Sequence, residues 1–168
     1  GTDITNTLIN TTNQVQEVTY KFKARIRDDR PGHSGSFCDQ GGDTTIRVWV
    51  NPTARLSVAI PDTIVCDSTT TTITVNDLNG AVHGSTTKVY QLTTTNAGGA
   101  VLGVQASGEY LSGTDITNTL INTTNQVQEV TYKFKARIRD DRPGHSGSFC
   151  DQGGDTTIRV WVNPTARL

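Results

Sequence analysis

The chain is poor in the residues from which helices and membrane spans are built. Methionine is absent, tryptophan occurs twice, and aromatic residues make up 6% of its 168 positions. Threonine, asparagine and glycine are plentiful instead, and the first two are poor helix formers, whereas threonine and valine suit a pleated, half-wetted surface. No run of about eighteen apolar residues occurs, which excludes a membrane-crossing helix from this segment. Neither sign of charge dominates: 15 basic residues face 16 acidic ones, for a net charge of −1. There is no electrostatic case for nucleic acid or an anionic membrane as the main partner. The three cysteines and three histidines show no zinc-ligand spacing, and no signal peptide is visible.

Repetition dominates what is present. Gly1 to Leu56 recurs without a change as Gly113 to Leu168, while Ser57 to Ser112 occurs once. Self-similarity at a fixed period marks an array, and a 112-residue unit has the commonest size of an independently folded domain. A proline follows a clear strand in each outer copy, at Pro52 and Pro164. Proline lacks the donor a sheet ladder needs and sits well in a linker. The expected organisation is therefore residues 1–53 as the C-terminal half of a preceding repeat, 54–165 as a complete repeat, and 166–168 as the start of the next. Identical outer copies mean that any chemistry assigned to one belongs to both. That suits a molecule that needs length more than a single active site.

Period-two alternation predicts strands throughout. From Glu129 to Arg139, Val130, Tyr132, Phe134, Ala136 and Ile138 alternate with Thr131, Lys133, Lys135, Arg137 and Arg139, the mark of one face on a core and one in water. Thr156 to Val162 puts Ile158, Val160 and Val162 on one face and Trp161 on the other. Shorter strands are predicted at Leu56–Ile60, Thr63–Cys66, Thr71–Val75, Thr87–Thr93, Ala100–Ala106 and Thr117–Ile121. Turn signals separate them at Asn79-Gly80, Asn96-Ala97-Gly98-Gly99, Ser107-Gly108 and Pro143-Gly144. The fold class is all-β, an antiparallel sandwich of immunoglobulin type. In the half unit the late strands lack their early partners, so Val18, Tyr20, Phe22 and Ile26 are expected to be exposed unless another segment covers them.

Each unit carries two cysteines, Cys66 and Cys150, and Cys38 is the twin of Cys150. An even count per domain reads as a disulfide of an exported protein. A Cys66–Cys150 bridge would close a loop of about 84 residues, contributing on the order of 4–5 kcal/mol in the chain-entropy model. Two reduced, buried thiols are the alternative.

The run Asp115-Ile116-Thr117-Asn118-Thr119-Leu120-Ile121-Asn122-Thr123-Thr124, then Val127 to Tyr132, then Cys150, then Asp155 to Pro164, resembles the PKD-like repeat of giant Bacteroidetes surface proteins. Ile64-Val65-Cys66 followed by Thr72 to Val75 matches that family's early cysteine and second strand. The mobile gliding-motility adhesins of the SprB type are built this way. The resemblance implies an extracellular, cell-surface filament, exported by the type IX system, that grips a substratum. One departure is the outer face of Lys133, Lys135, Arg137 and Arg139, where threonine and valine are typical.

The remaining side chains offer little catalysis. His145, near Cys150, Asp151 and Asp155, suggests a Cys–His–Asp set, but nothing supplies an oxyanion hole, so the chain is not read as an enzyme. Asp140, Asp141, Asp151 and Asp155 are candidate calcium ligands from flexible loops, against the ordinary role of aspartate in turns. No other cofactor is implied. The basic stripe Lys133-Lys135-Arg137-Arg139, twinned at Lys21-Lys23-Arg25-Arg27, is either a site for acidic polysaccharide or a solvated face that discourages edge pairing. Trp161, like Trp49, either presents an aromatic to a sugar or packs toward the neighbouring domain across the linker. Asn122-Thr123-Thr124 and Asn10-Thr11-Thr12 fit the N-glycosylation triplet. Asp62-Thr63-Ile64, Asp67-Ser68-Thr69 and Asp155-Thr156-Thr157 fit a short O-glycosylation pattern. The stalk of a filamentous adhesin, with neighbouring repeats and a polysaccharide or solid surface as partners, is the leading reading. An array of carbohydrate-binding modules is its rival.

Overall fold

A computed structural model of the chain describes residues 3–32, 35–145 and 147–166. The central segment and the second copy together build two packed sheets. The larger follows the order β10 (Gly108–Leu111), β8 (Thr86–Asn96), β12 (Gln128–Asp140), β14 (Asp155–Val162) and β6 (Ile64–Val65), with β13 (Phe149–Cys150) paired to the far end of β12. The smaller runs β5 (Leu56–Ala59), β7 (Thr69–Asp77), β11 (Ile116–Asn122) and β9 (Val101–Leu102). All pairs are antiparallel except β14 with β6.

Alternation in the sequence becomes alternation in burial. In β12, Val130, Tyr132, Phe134, Ala136 and Ile138 are buried, and Ile116, Leu120 and Asn122 do the same in β11. The inner faces meet in one core, where Ile73, Val75 and Leu120 of the small sheet pack with Tyr90, Leu92, Tyr132, Phe134 and Val160 of the large one. Tyr90 lies 5.5 Å from Phe134, ring centre to ring centre. Its hydroxyl donates to the Thr114 carbonyl at 2.7 Å, so the one polar atom of that ring is satisfied. Burying a ring of this size contributes roughly 2–3 kcal/mol each.

The first copy is a natural control, since its sequence is identical and its surroundings are not. β1 (Gln16–Lys23) and β4 (Asp43–Val50) pair in the same register as β12 and β14, Gln16 opposite Val50 as Gln128 is opposite Val162. The short pair β2 (Ile26–Arg27) and β3 (Phe37–Cys38) repeats the pairing of β12 with β13. Residues 4–10, identical to β11, form no strand. β11 is held between β7 and β9, and no such neighbours flank residues 4–10 among the described residues. Exposure follows: Phe22 is 38% exposed against 0% for Phe134, and Ile4 61% against 2% for Ile116. Ile26 is open and Val18 and Tyr20 half-buried. Burial here is therefore delivered by the 57–112 segment, not by the late strands themselves.

Local bonds are copied faithfully. Asn10 Nδ2 donates to the carbonyls of Gln14 and Val50 at 2.7 and 2.8 Å, and Asn122 Nδ2 donates to those of Gln126 and Val162, both at 2.8 Å. Asn122 is 6% exposed, with its amide turned inward. A glycan on Asn122 Nδ2 would have to break both bonds.

Candidate functional site

The basic stripe on the outer face of β12 is matched by acids from its neighbours. Lys133 pairs with Asp155 at 2.7 Å, while Lys135 and Arg137 both meet Asp151, each at 3.0 Å. Arg139 meets Asp141 at 2.7 Å and also bonds Glu109. Arg137 further lies over the Phe149 ring at 5.0 Å. The cations are thus rungs of a ladder bridging β12 to β10 and to the 141–155 segment, rather than a free positive surface. Exposed pairs of this kind contribute little each.

The four aspartates do not converge on one point. Asp155, Asp151 and Asp141 follow successive cations along β12 while Asp140 turns to Arg142, and Lys133 and Arg139 are about 20 Å apart along an extended strand. Among the described residues no three acidic, histidine or cysteine side chains group as a metal site. Arg142, bonded to Asp140 through both side chain and backbone, holds that carboxyl well below the usual carboxylate range. Asp141 is lowered by the Thr87 hydroxyl and Arg139, and Asp151 first by Lys135. His145 Nδ1 stands 3.6 Å from Asp140, while its twin His33 lies outside the described residues.

The cysteines require a correction. Cys38, Cys66 and Cys150 are free and exposed, so the bridge within the unit is not formed. Topology is the reason. Cys66 follows Val65, whose partner Val162 lies opposite Gln128, whereas Cys150 lies opposite Ile138. Ten residues of β12 separate those levels, about 33 Å in an extended strand, and a disulfide needs Cα atoms within roughly 7 Å. One cysteine sits at each end of the sandwich. Partial desolvation of the sulfur, within an otherwise open residue, and the nearby Asp140 push the Cys150 thiol above its ordinary value.

The most constructed feature is the junction between the first copy and the sandwich. Asn79 clamps the linker: its Oδ1 accepts the Arg55 N–H at 2.6 Å and its Nδ2 donates to the Thr53 carbonyl at 2.8 Å. Lys88 supports the same turn from below, donating to the carbonyls of Asn79 and Gly80 at 3.1 and 3.3 Å and pairing with Asp77. Gly80 N–H donates to the Asn13 carbonyl and Val15 N–H to that of Ala81, both at 2.8 Å. A Cβ on Gly80 would come within 2.6 Å of Gln14 Cγ, so a larger residue there would require the Gln14 side chain to shift. Asn51 Oδ1 accepts the His83 N–H at 2.9 Å. Trp49 of the first copy packs on the His83 ring. Trp161, its twin, lies on the outer face opposite Glu129 and Ile64, 36% exposed.

A groove of about 1060 Å³ runs along this junction, between Leu8, Asn10, Asn51 and Thr53 of the first copy and Ile138 and Cys150 of the sandwich. A second, apolar depression lies on the uncovered face of the first copy, among Ile4, Leu8, Tyr20, Phe22, Ile46 and Val48. Sequence reasoning recorded Asn79-Gly80 only as a turn and gave His83 no role. The turn signal was the one trace of the clamp.

No protein-family model and no curated protein matches the chain. Among solved structures it is similar to a cohesin module from a Clostridium perfringens family 33 glycoside hydrolase, at 11% identity and TM-score 0.35, over 67% of this chain and 98% of that one. It is also similar to domains 4 and 5 of the S-layer protein SbsC, at 15% identity and TM-score 0.32, over 77% and 56%. The adhesin InvE of Yersinia pseudotuberculosis gives 10% identity and TM-score 0.38, over 92% and 50%. The chain thus spans about half the length of the last two. At such scores these likenesses carry nothing about what this chain binds.

Proposed function

We propose that residues 54–165 are one unit of a tandem array of sandwich domains, which serves as the stiff stalk of a cell-surface adhesin outside the cell. The clamp at the junction carries this reading. Two lengths of one repeat meet head to tail through the Asn79, Asn51, Gly80 and Val15 bonds and the Trp49–His83 contact. A linker pinned at that many points bends little, and repeats that touch only their neighbours extend in one direction. The resemblance in sequence to PKD-like repeats adds export by the type IX route and a part in gliding motility, gripping polysaccharide or a solid surface. Repetition would multiply weak contacts into avidity. The matched cations along β12 speak against acidic glycan as the principal ligand.

The test is the shape of a longer array. β12 runs from one junction to the other, so its length sets an axial repeat on the order of 45 Å. Electron micrographs should show straight filaments with that spacing. Irregularly collapsed chains would refute the stalk.

A further inference from the structure

We propose that the junction groove receives the Ile64–Thr69 segment of the preceding unit, and that Cys66 of that unit forms a disulfide with Cys150 of the next one. This rests on the array reading above.

The identical copies supply the argument. Within the complete unit, the segment after Ile64 is held at four points: the Val65 carbonyl accepts from Asn163 N–H, Asp67 accepts from Asn122 N–H and bonds the Thr165 hydroxyl, and Ser68 N–H donates to the Leu120 carbonyl. The counterparts of Asn163, Asn122, Thr165 and Leu120 in the first copy are Asn51, Asn10, Thr53 and Leu8. All four line the junction groove, and Cys150 lines it with them. β4 keeps the geometry of β14, and Asn10 keeps the bonds of Asn122. The seat is therefore preserved along β4 and at the Asn10 side chain, residues 4–10 lack the strand that β11 makes between its neighbours, and the occupant is fixed by sequence identity: another copy of residues 64–69.

The consequence for the cysteines is direct. Cys66 lies at the C-terminal end of its unit, beside Asn163, and Cys150 at the N-terminal end of its own, beside Ile138 and near the Ala54 cluster. Head-to-tail stacking brings the first to the second, in one groove, although they stand at opposite ends of any single unit. The bond forms by exchange with a small-molecule disulfide such as oxidised glutathione. The two thiols lose two protons and two electrons, one S–S bond forms, and the glutathione disulfide is reduced to two thiols that carry those protons.

The experiment lengthens the chain at Leu168 by one further copy of 57–168 and oxidises it with oxidised glutathione. Intact mass after denaturation then gives the thiols lost to protein–protein bonds among its five cysteines, each mixed disulfide being recognised by its added glutathione and left out of the count. The proposal expects loss of two thiols. Cys66→Ser should abolish that loss, and Cys150→Ser in the first complete unit should leave it intact, because the acceptor is the added copy's counterpart of Cys150. Loss of four thiols, or protection by Cys150→Ser, would mean pairing within units and overturn it. Five free thiols would also overturn it. Small-angle scattering of the same protein reports the array separately: an extended particle with unpaired thiols refutes only the disulfide, whereas a collapsed particle refutes the stalk itself.

Discussion

Trp49 and His83 stand ring to ring across the junction, 5.0 Å between centroids with their planes tilted by 46°. Trp49 lies in the first copy and His83 in the segment that occurs once, and the contact reports on the junction alone. In a Trp161→Phe background, Trp49 is the only indole. His83→Ala should raise its acrylamide quenching and shift its emission to the red. Unchanged quenching would show that the imidazole does not shield the indole in solution.

Asn79 holds the linker through two bonds whose partners are backbone groups. Asn79→Ala should cost about 0.5–1.5 kcal/mol, since it removes two bonds to backbone groups that water reaches. The urea midpoint should fall with the slope unchanged. A midpoint within error of the parent would mean that water replaces both bonds freely.

Phe22 and Phe134 are the same residue in the same sequence with different cover. Phe134→Ala should cost roughly 3–5 kcal/mol, whereas Phe22→Ala should cost under about 1 kcal/mol, because its ring is already part-wetted. Equal losses from the two variants would contradict the account of burial given by the central segment.

Burial raises both Tyr90 and Tyr132 to about 12 from the ordinary 10. The folded state therefore holds these phenolic protons more tightly than the unfolded chain. The stability this provides is complete below pH 10 and is lost as pH rises toward 12. Circular dichroism in urea should show a falling midpoint between pH 10 and 12, shallower in Tyr132→Phe. A flat midpoint across that range would count against it.

The strands with the strongest alternation, β12 and β14, were legible from Val130 to Ile138 and from Ile158 to Val162, because burial on one face is written directly into the order of residues. The predicted strand at Ala100–Ala106 shrinks to Val101–Leu102, where Gly103 takes a positive φ and a Cβ on it would meet the Thr119 carbonyl at 2.0 Å. β10 hid behind Ser107-Gly108, read as a turn. It is an edge strand recruited by β8, and Gly108 gives no pattern to detect. Residues 4–10 show the limit most clearly, since the same letters make a strand at 116–122 and none here. A ladder needs a partner, and local sequence does not say whether one arrives. The cysteine pairing was misjudged for a related reason, and the two readings of the basic stripe stayed open for the same one. Composition gave their number and sign, while strand order decided that the thiols stand apart and that each cation meets an acid.

β5 leads into the sandwich and β14 leads out of it, and each lies antiparallel to a longer strand, β7 and β12. A pull between Ala54 and Thr165 therefore drags both terminal strands along their own length. Every rung of the two ladders is strained at once, in shear, instead of peeling open one by one. In the stalk proposed above, such a unit would yield abruptly and late under tension.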